Sequence, residues 1–253
     1  STAFNAMLDR VDRAFATQRA FLDDAGHELR TPITVVRGHL ELVGRDEPLP
    51  EATRELVLDE LDRMGRMVDD LLTMAKAEHP DFLRTAPVDV VDLTVDVADK
   101  ARPLGQRRWE VRPDAVIVAD LDRQRVVQAW MNLVRNAVQH TADGDRITVF
   151  SRTDGHWVEL GVADTGDGVD DADCDRIFER FGRGGSARRT HTDGAGLGLA
   201  IARAIAEAHG GRLDLAETGE SGATFVLRLP LAATAGAPIV EEIAVQEEPW
   251  PAS

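Results

Sequence analysis

Two long apolar stripes constrain this chain more than any other feature. The first runs through Leu8, Val11, Phe15, Leu22, Ala25 and Leu29, then Ile33, Val36, Leu40 and Val43. The second runs through Val57, Leu61, Met64, Val68, Leu71 and Ala75. Steps of three and four place each set on one face of a helix. The spacing predicts a helix over 3–44, a turn at Gly44–Pro50 (GRDEPLP), and a second helix from Glu51. Two antiparallel helices with one stripe each bury those stripes poorly alone. Pairing two hairpins into a four-helix bundle covers them, which implies a homodimer. Packing the hairpin onto another domain is the other way to cover them.

The stretch Phe21–Ile33 (FLDDAGHELRTPI) departs from a purely structural helix. With Leu22 and Leu29 at heptad position a, His27 falls at f, on the solvent face. Glu28 falls beside the seam, and Thr31 lies one turn beyond His27 on the open face. Pro32 cannot donate to the Glu28 carbonyl, so a bend or loosening is expected there, and the apolar spacing slips by one residue after it. A lone surface histidine is ordinarily only solvated. The second half of the chain is what gives this one a candidate role.

The 253 residues suffice for two cores. The net charge of −16 argues against a general nucleic-acid binder or a polybasic membrane-surface protein, though not against phosphate ligands held by Mg²⁺, arginines or backbone amides. The single cysteine, Cys174, excludes an internal disulfide, and no Cys/His cluster with zinc-ligand spacing is present. No run reaches the roughly 18–20 apolar residues of a membrane span. The chain begins inside a helical pattern, so a longer parent protein is expected.

Segment 80–87 reads as a linker, and an α+β pattern follows it. Asp89–Leu104 reads as a helix, Arg107–Arg112 and Ala115–Ala119 as strands, and Asp122 as the cap of a helix running to His140. Arg146–Arg152 and Trp157–Ala163 flank the hairpin signal Asp154-Gly155. A helix at Leu197–His209 precedes strands at Arg212–Ala216 and Ala223–Leu229. The long segment between Val169 and Asp193 lacks periodicity and reads as a lid or a disordered loop. Residues 233–253 read as a flexible acidic tail.

Four pieces of this second domain carry candidate chemistry. Asn132 and Asn136 lie on one helix face (NLVRNAVQHT), at a cost in helix propensity that a shared polar ligand would explain. Asp164 leaves a strand into a glycine turn (DTGDG) and can aim its carboxylate at a base edge. GAGLGL (194–199) opens a helix whose free amides and dipole favour phosphate. It is not a dinucleotide-binding fingerprint, because no strand precedes it. Gly219–Thr224 (GESGAT) turns into the last strand. Each glycine cluster alone is ordinary turn material; the four in this order are far more specific.

Taken together, residues 3–230 resemble the kinase region of a sensor histidine kinase of a two-component system. FLDDAGHELRTPI is similar to the family's phosphoacceptor box, NLVRNAVQHT to its N box, DTGDGV to its G1 box, FERFGR (Phe178–Arg183) to its F box, and GAGLGL to its G2 box. Phe4–Leu8 resembles the end of a HAMP linker. The resemblance implies a signalling helix ending at residue 15, a dimerisation and phosphoacceptor hairpin over 16–79, the linker, and an ATP-binding catalytic domain over 88–232. Its fold class would be an all-α hairpin forming a four-helix bundle, followed by the two-layer α+β sandwich of Bergerat ATPases.

The resemblance further implies that His27 takes the γ-phosphoryl of ATP on Nε2 while Glu28 orients or accepts the Nδ1 proton, and that Thr31 positions water when a partner is dephosphorylated. Asn136 would bind Mg²⁺, with Asn132 and His140 near the phosphates. Asp164 would accept from the adenine amino group, and Gly166 and Gly168 would let the backbone approach the ring. Gly194, Gly196, Leu197 and Gly198 would cradle phosphates. Arg183 is similar to the F-box arginine, and Thr224 would back Asp164. Expected partners are a second copy and a cognate response regulator, with no nucleic acid. The expected location is the cytoplasmic side of a membrane, anchored through a sensor region outside this sequence. Two positions depart from the family: Gly26 replaces the usual Ser, and Gln139 replaces a frequent Lys or Arg, which removes one positive charge near the phosphates. A Bergerat-type ATPase or Ser/Thr kinase has no need of His27-Glu28 on a dimerising helix. A non-catalytic ATP-binding scaffold is a second alternative, and an acid-labile, alkali-stable phosphate would separate all three.

Overall fold

The described part of the first stripe, Ala25 and Leu29 to Leu40, is helical. The structure is a computed structural model that describes residues 25–26, 29–42, 49–77, 79, 81–174, 176–180, 182, 196–219 and 222–231. Helix α1 is continuous over 29–41, and residues 25–26 are also helical. Pro32 is buried within it and does not end it. Ala25 is buried and Leu29 half-buried, whereas Gly26, Arg30 and Thr31 are exposed, as the heptad placement requires. His27, Glu28, the earlier part of the expected helix and the acidic tail lie outside the described residues.

Helix α2 (Glu51–Lys76) starts directly after Pro50, with Glu51 in its first turn and Lys76 in its last. Those charges complement the helix dipole. Its seam is left open in the single chain: Leu61 is 49% exposed and Val68 43%. What α2 does bury is a different face, Met67, Thr73 and Met74. That face packs on the second domain, where Met74 joins the core and the Gln128 amide donates to the Thr73 hydroxyl at 3.1 Å.

The linker is docked. Phe82 is buried beneath the Arg125 guanidinium, 4.6 Å from its ring centre, and the Arg84 amide donates to Asp122 Oδ2 at 2.8 Å. Strand β1 (Ala86–Asp89) takes up the last two residues of the expected linker and pairs antiparallel with β3 (Val118–Leu121). That second strand forms later than Ala115–Ala119, because the Ile117 amide turns back to the Ala115 carbonyl at 3.0 Å.

Helix α3 (Val90–Ala101) is capped by the Asp89 side chain, which accepts from the amides of Val91 and Asp92, and a 3₁₀ turn (Arg102–Leu104) extends it. Helix α4 (Arg123–Gln139) is capped by Asp122, and α5 spans Gly198–Ala208. The main sheet is ordered β2 (Arg108–Pro113), β4 (Arg146–Thr153), β5 (Trp157–Asp164), β7 (Gly222–Pro230), β6 (Arg212–Gly219). Only the β2–β4 pairing is parallel. At the β4–β5 turn, the Asp154 side chain accepts from the amides of His156 and Trp157.

One sheet face is apolar: Ile147, Val149, Val158, Leu160, Phe225 and Leu227 are buried beneath α3, α4 and α5. The other carries Glu159 paired with Arg152 and Arg228. Such a one-sided sheet gives two layers. Trp130 of α4, fully buried, donates its indole N–H to the Gly161 carbonyl at 3.1 Å and fixes that helix over the sheet.

Asp122 joins several of these elements. Its side chain caps α4 by accepting from the Arg125 amide at 3.0 Å and holds the linker through Arg84, while its own amide donates to His209 Nε2 at 3.1 Å, just past α5. Asp122→Ala removes both side-chain acceptors. It should lower stability by about 1–2 kcal/mol in urea denaturation of the full chain. A loss below a few tenths of a kcal/mol would mean that water replaces both bonds.

Candidate functional site

Asp164 ends β5 and is 7% exposed. Its Oδ1 accepts from the Gly166 amide at 2.9 Å and the Ala223 amide at 3.3 Å. Burial pushes this carboxyl above the ordinary range, and the two amides and the charge of His140 pull it back. A carboxylate so held is fixed in direction, and Oδ2 makes none of these bonds.

The turns around Asp164 require glycine. A Cβ on Gly166 would stand 2.0 Å from the His140 carbonyl oxygen, and one on Gly222 2.0 Å from the Asp164 carbonyl oxygen. Gly168 has φ +73° and lies against the Gly219 backbone. His140 therefore lies beside Gly166 and Asp164. Thr224 pairs in register with Ala163, and the group that reaches Asp164 is the Ala223 amide one residue earlier.

The other end of the site is built on α4 and α5. Asn132, buried, donates to the Gly198 carbonyl at 3.2 Å and accepts from Arg135 Nη1 at 3.0 Å. That bond clamps the α4 face to the N-terminus of α5. Gly196 has φ +67°, a conformation that favours glycine. Leu197 is buried. A cavity of about 280 Å³ opens here, lined by Asn132, Asn136, Gly196, Leu197 and Gly198 together with α2 residues. The structure thus brings Asn132 and Asn136 together with the G2-like glycines, and His140 with Asp164 and Gly166. Gly194 and Arg183 lie outside the described residues. Among the described residues no group of three or more His, Cys, Asp or Glu could hold a metal ion.

Sequence patterning missed the α2 wall of this cavity. Arg63, Arg66, Asp69 and Asp70 of α2 face Arg135, Asn136 and Gln139 of α4. Burial pushes the Asp70 carboxyl up to about 6, opposed by Arg135, while Asp69 adds to the rise and Arg66 opposes it. Burial also lowers Arg135, although its side chain reaches the surface, and Asp70 counters that effect. The signal in the sequence was an arginine between the two asparagines and an Asp pair off the α2 seam.

Asp70 gives a pH test with a definite sign. The folded chain holds this proton more tightly than the unfolded chain does. Its contribution to stability is therefore full below about 3.8 and is lost as pH rises through about 6. Asp70→Asn should be more stable than the parent by about 1–2 kcal/mol near pH 7.5, after allowing for solvent screening, and equal to it near pH 4. A gain independent of pH, or a loss near pH 7.5, would show that the attraction of Arg135 outweighs burial.

Comparison with known proteins bears on the whole arrangement. The His Kinase A (phospho-acceptor) domain matches residues 17–80, and the histidine kinase-, DNA gyrase B- and HSP90-like ATPase domain matches 121–233. The probable sensor histidine kinase TcrY of Mycobacterium tuberculosis is 36% identical over 244 residues, covering 91% of this chain and 51% of TcrY. ArlS of Staphylococcus aureus, a signal transduction histidine-protein kinase, is 29% identical over 238 residues, covering 89% of this chain and 51% of ArlS. The chain spans about half the length of the curated relatives it matches. Among solved structures, full-length ShkA in complex with AMPPNP aligns with TM-score 0.61 and 33% identity over 84% of this chain and 46% of ShkA. AdeS of Acinetobacter baumannii, at TM-score 0.67 and 24% identity over 81% of this chain and 98% of the AdeS chain, shares the fold. With a phospho-acceptor hairpin followed by an ATP-binding domain of this type, the chain belongs to the sensor histidine kinases.

Proposed function

We propose that this region autophosphorylates His27 from ATP and passes the phosphoryl group to an aspartate of a response regulator. The observation that carries the reading is the joining, in one fold, of the Asp164 turn, the Asn132–Gly198 clamp and a helix bearing the phosphoacceptor pattern. The Asp164 carboxylate is held by two amides beside Gly166, where the His140 carbonyl leaves no room for a side chain, which suits an adenine amino group. A carboxylate facing the guanine carbonyl would leave a buried charge without a donor. At the other end, the amides that open α5 and the asparagines of α4 face one cavity, which suits a triphosphate. Mg²⁺ held there through Asn136 would neutralise phosphate charge.

His27 supplies the nucleophile. Its neutral Nε2 attacks the γ-phosphorus and forms a P–N bond. The P–O bond to the β-phosphate breaks, and its electron pair leaves on ADP. Glu28 takes the Nδ1 proton as the imidazole becomes cationic. Catalysis of this kind is mainly positioning and charge stabilisation. Thr31, four residues beyond and exposed, would position water for dephosphorylation of the regulator.

Dimerisation is part of the proposal. The α1–α2 groove of about 610 Å³ is lined by Ile33, Val36, Leu40, Leu61 and Met64, apolar residues that a second hairpin would cover. No helix among the described residues is long and apolar enough to cross a membrane.

With Mg-ATP the chain should acquire one acid-labile, alkali-stable phosphate per subunit, and His27→Gln should acquire none. Label that survives acid, or that persists in His27→Gln, would assign the nucleophile elsewhere. Leu61→Asp places a carboxylate in the groove and should convert the dimer to monomer or unfold the hairpin in light scattering and circular dichroism. A parent chain that is monomeric at micromolar concentration would overturn the dimer.

A further inference from the structure

Arg107 lies outside every glycine or asparagine motif, just ahead of β2, yet its side chain is only 10% exposed. Its guanidinium is spent on the end of α4. Nε donates to the Thr141 hydroxyl at 2.9 Å, and Nη2 donates to the Thr141 carbonyl at 2.9 Å and to the Val138 carbonyl at 3.3 Å. Nη1 donates to the Asp143 carboxylate just beyond. The Thr141 hydroxyl in turn donates to the Ala137 carbonyl at 2.8 Å.

The end of a helix leaves carbonyls without partners, and its dipole favours a cation there. The last turn of α4 holds no basic residue of its own. Arg107 brings that cation in from the edge of the sheet, and the planar guanidinium reaches several acceptors at once, as a lysine ammonium could not.

Between the two carbonyls that Arg107 holds lies His140. A Cβ on Gly166 would stand 2.0 Å from the His140 carbonyl oxygen, and the Gly166 amide is one of the two that hold Asp164 Oδ1. So close an approach leaves no slack. A shift of the chain at His140 displaces Gly166, and with it the direction of the Asp164 carboxylate. The other amide, from Ala223, belongs to the sheet and does not depend on α4. Earlier in α4, Asn132 has its own anchor on the Gly198 carbonyl. The two ends of the site are thus fastened separately, the phosphate end through Asn132 and the Asp164 end through Arg107.

We propose that Arg107 is a positioning residue for base recognition. It holds the end of α4 so that the His140 carbonyl seats Gly166 and Gly166 aims Asp164 at the adenine amino group. The inference rests on the reading of this site as an ATP site. It adds to that reading a specificity-determining residue that touches no part of the nucleotide.

The test is the binding of Mg-AMPPNP and Mg-GMPPNP to the full chain by competition calorimetry. Arg107→Met keeps the aliphatic stem and removes the donors. It should weaken AMPPNP about tenfold, the size of one misdirected hydrogen bond to a charged acceptor. GMPPNP, which gains nothing from Asp164, should change by less than about twofold. Arg107→Lys keeps the charge at the helix end without the fork and should fall between the parent and Arg107→Met. In an Asp164→Asn background, Arg107→Met should change AMPPNP affinity by less than about twofold, because the residue acts through that carboxylate.

Equal weakening of both nucleotides by Arg107→Met would make Arg107 a structural residue only, and overturns the proposal. So does an AMPPNP affinity that stays at the parent value, or a tenfold loss that persists without the Asp164 carboxylate. Thermal melts verify folding. If Arg107→Met fails to fold, Thr141→Val, which removes the acceptor of the Nε bond, should show the same selective loss in smaller measure, and equal loss of both nucleotides there overturns the proposal too. A parent chain with no preference for AMPPNP over GMPPNP would overturn the assignment of Asp164 to the base, and this inference with it.

Discussion

Helix α2 must satisfy two neighbours at once, and much of the structure follows from that demand. Its seam of Leu61, Met64, Val68 and Leu71 stays partly open in the single chain, facing the groove shared with α1. Its other side buries Met67, Thr73 and Met74 against the ATP-binding domain. A helix that is apolar on one side can be released to solvent by its second neighbour at modest cost. One that is apolar on opposite sides cannot leave either neighbour without exposing methyl and thioether groups worth about 1.5–3 kcal/mol each when fully buried. The second face of α2 is the thinner of the two, three residues and a hydroxyl–amide bond.

Within the ATP-binding domain, the site is held by backbone more than by side chains. Asp164 is oriented by two amides, Gly166 lies against the His140 carbonyl, Gly222 against the Asp164 carbonyl, and Asn132 against the Gly198 carbonyl. Each piece of the sequence pattern thus abuts another through a main-chain group. Such contacts tolerate no added Cβ, which is why the glycines recur where they do. They also leave side-chain functional groups for a ligand: the second Asp164 oxygen and the Asn136 carboxamide.

Local signals were legible where the chemistry is local. Asp154-Gly155 gave the hairpin and Asp122 the α4 cap, because turn and cap geometry depends on a few adjacent residues. The pairing of Asn132 with Asn136 on one face followed from helical spacing alone, as did the exposed Thr31. What did not follow depends on distant partners. The second face of α2 needs α4 and α5 to exist before Met67 and Met74 have anything to pack on. The Ala115–Ile117 turn interrupts a run whose residue types favour a strand, and the strand moves to Val118–Leu121 where β1 is available to pair. The contact of the His140 carbonyl with Gly166 likewise joins residues that no local signal links.

The electrostatics of the α2–α4 contact set it apart from the apolar seam. Charges in a partly buried contact gain little over their hydrated state, because desolvation offsets most of the attraction. Asp70 illustrates this: its carboxyl is raised by burial in spite of two nearby arginines. An interface built this way is specific without being strong.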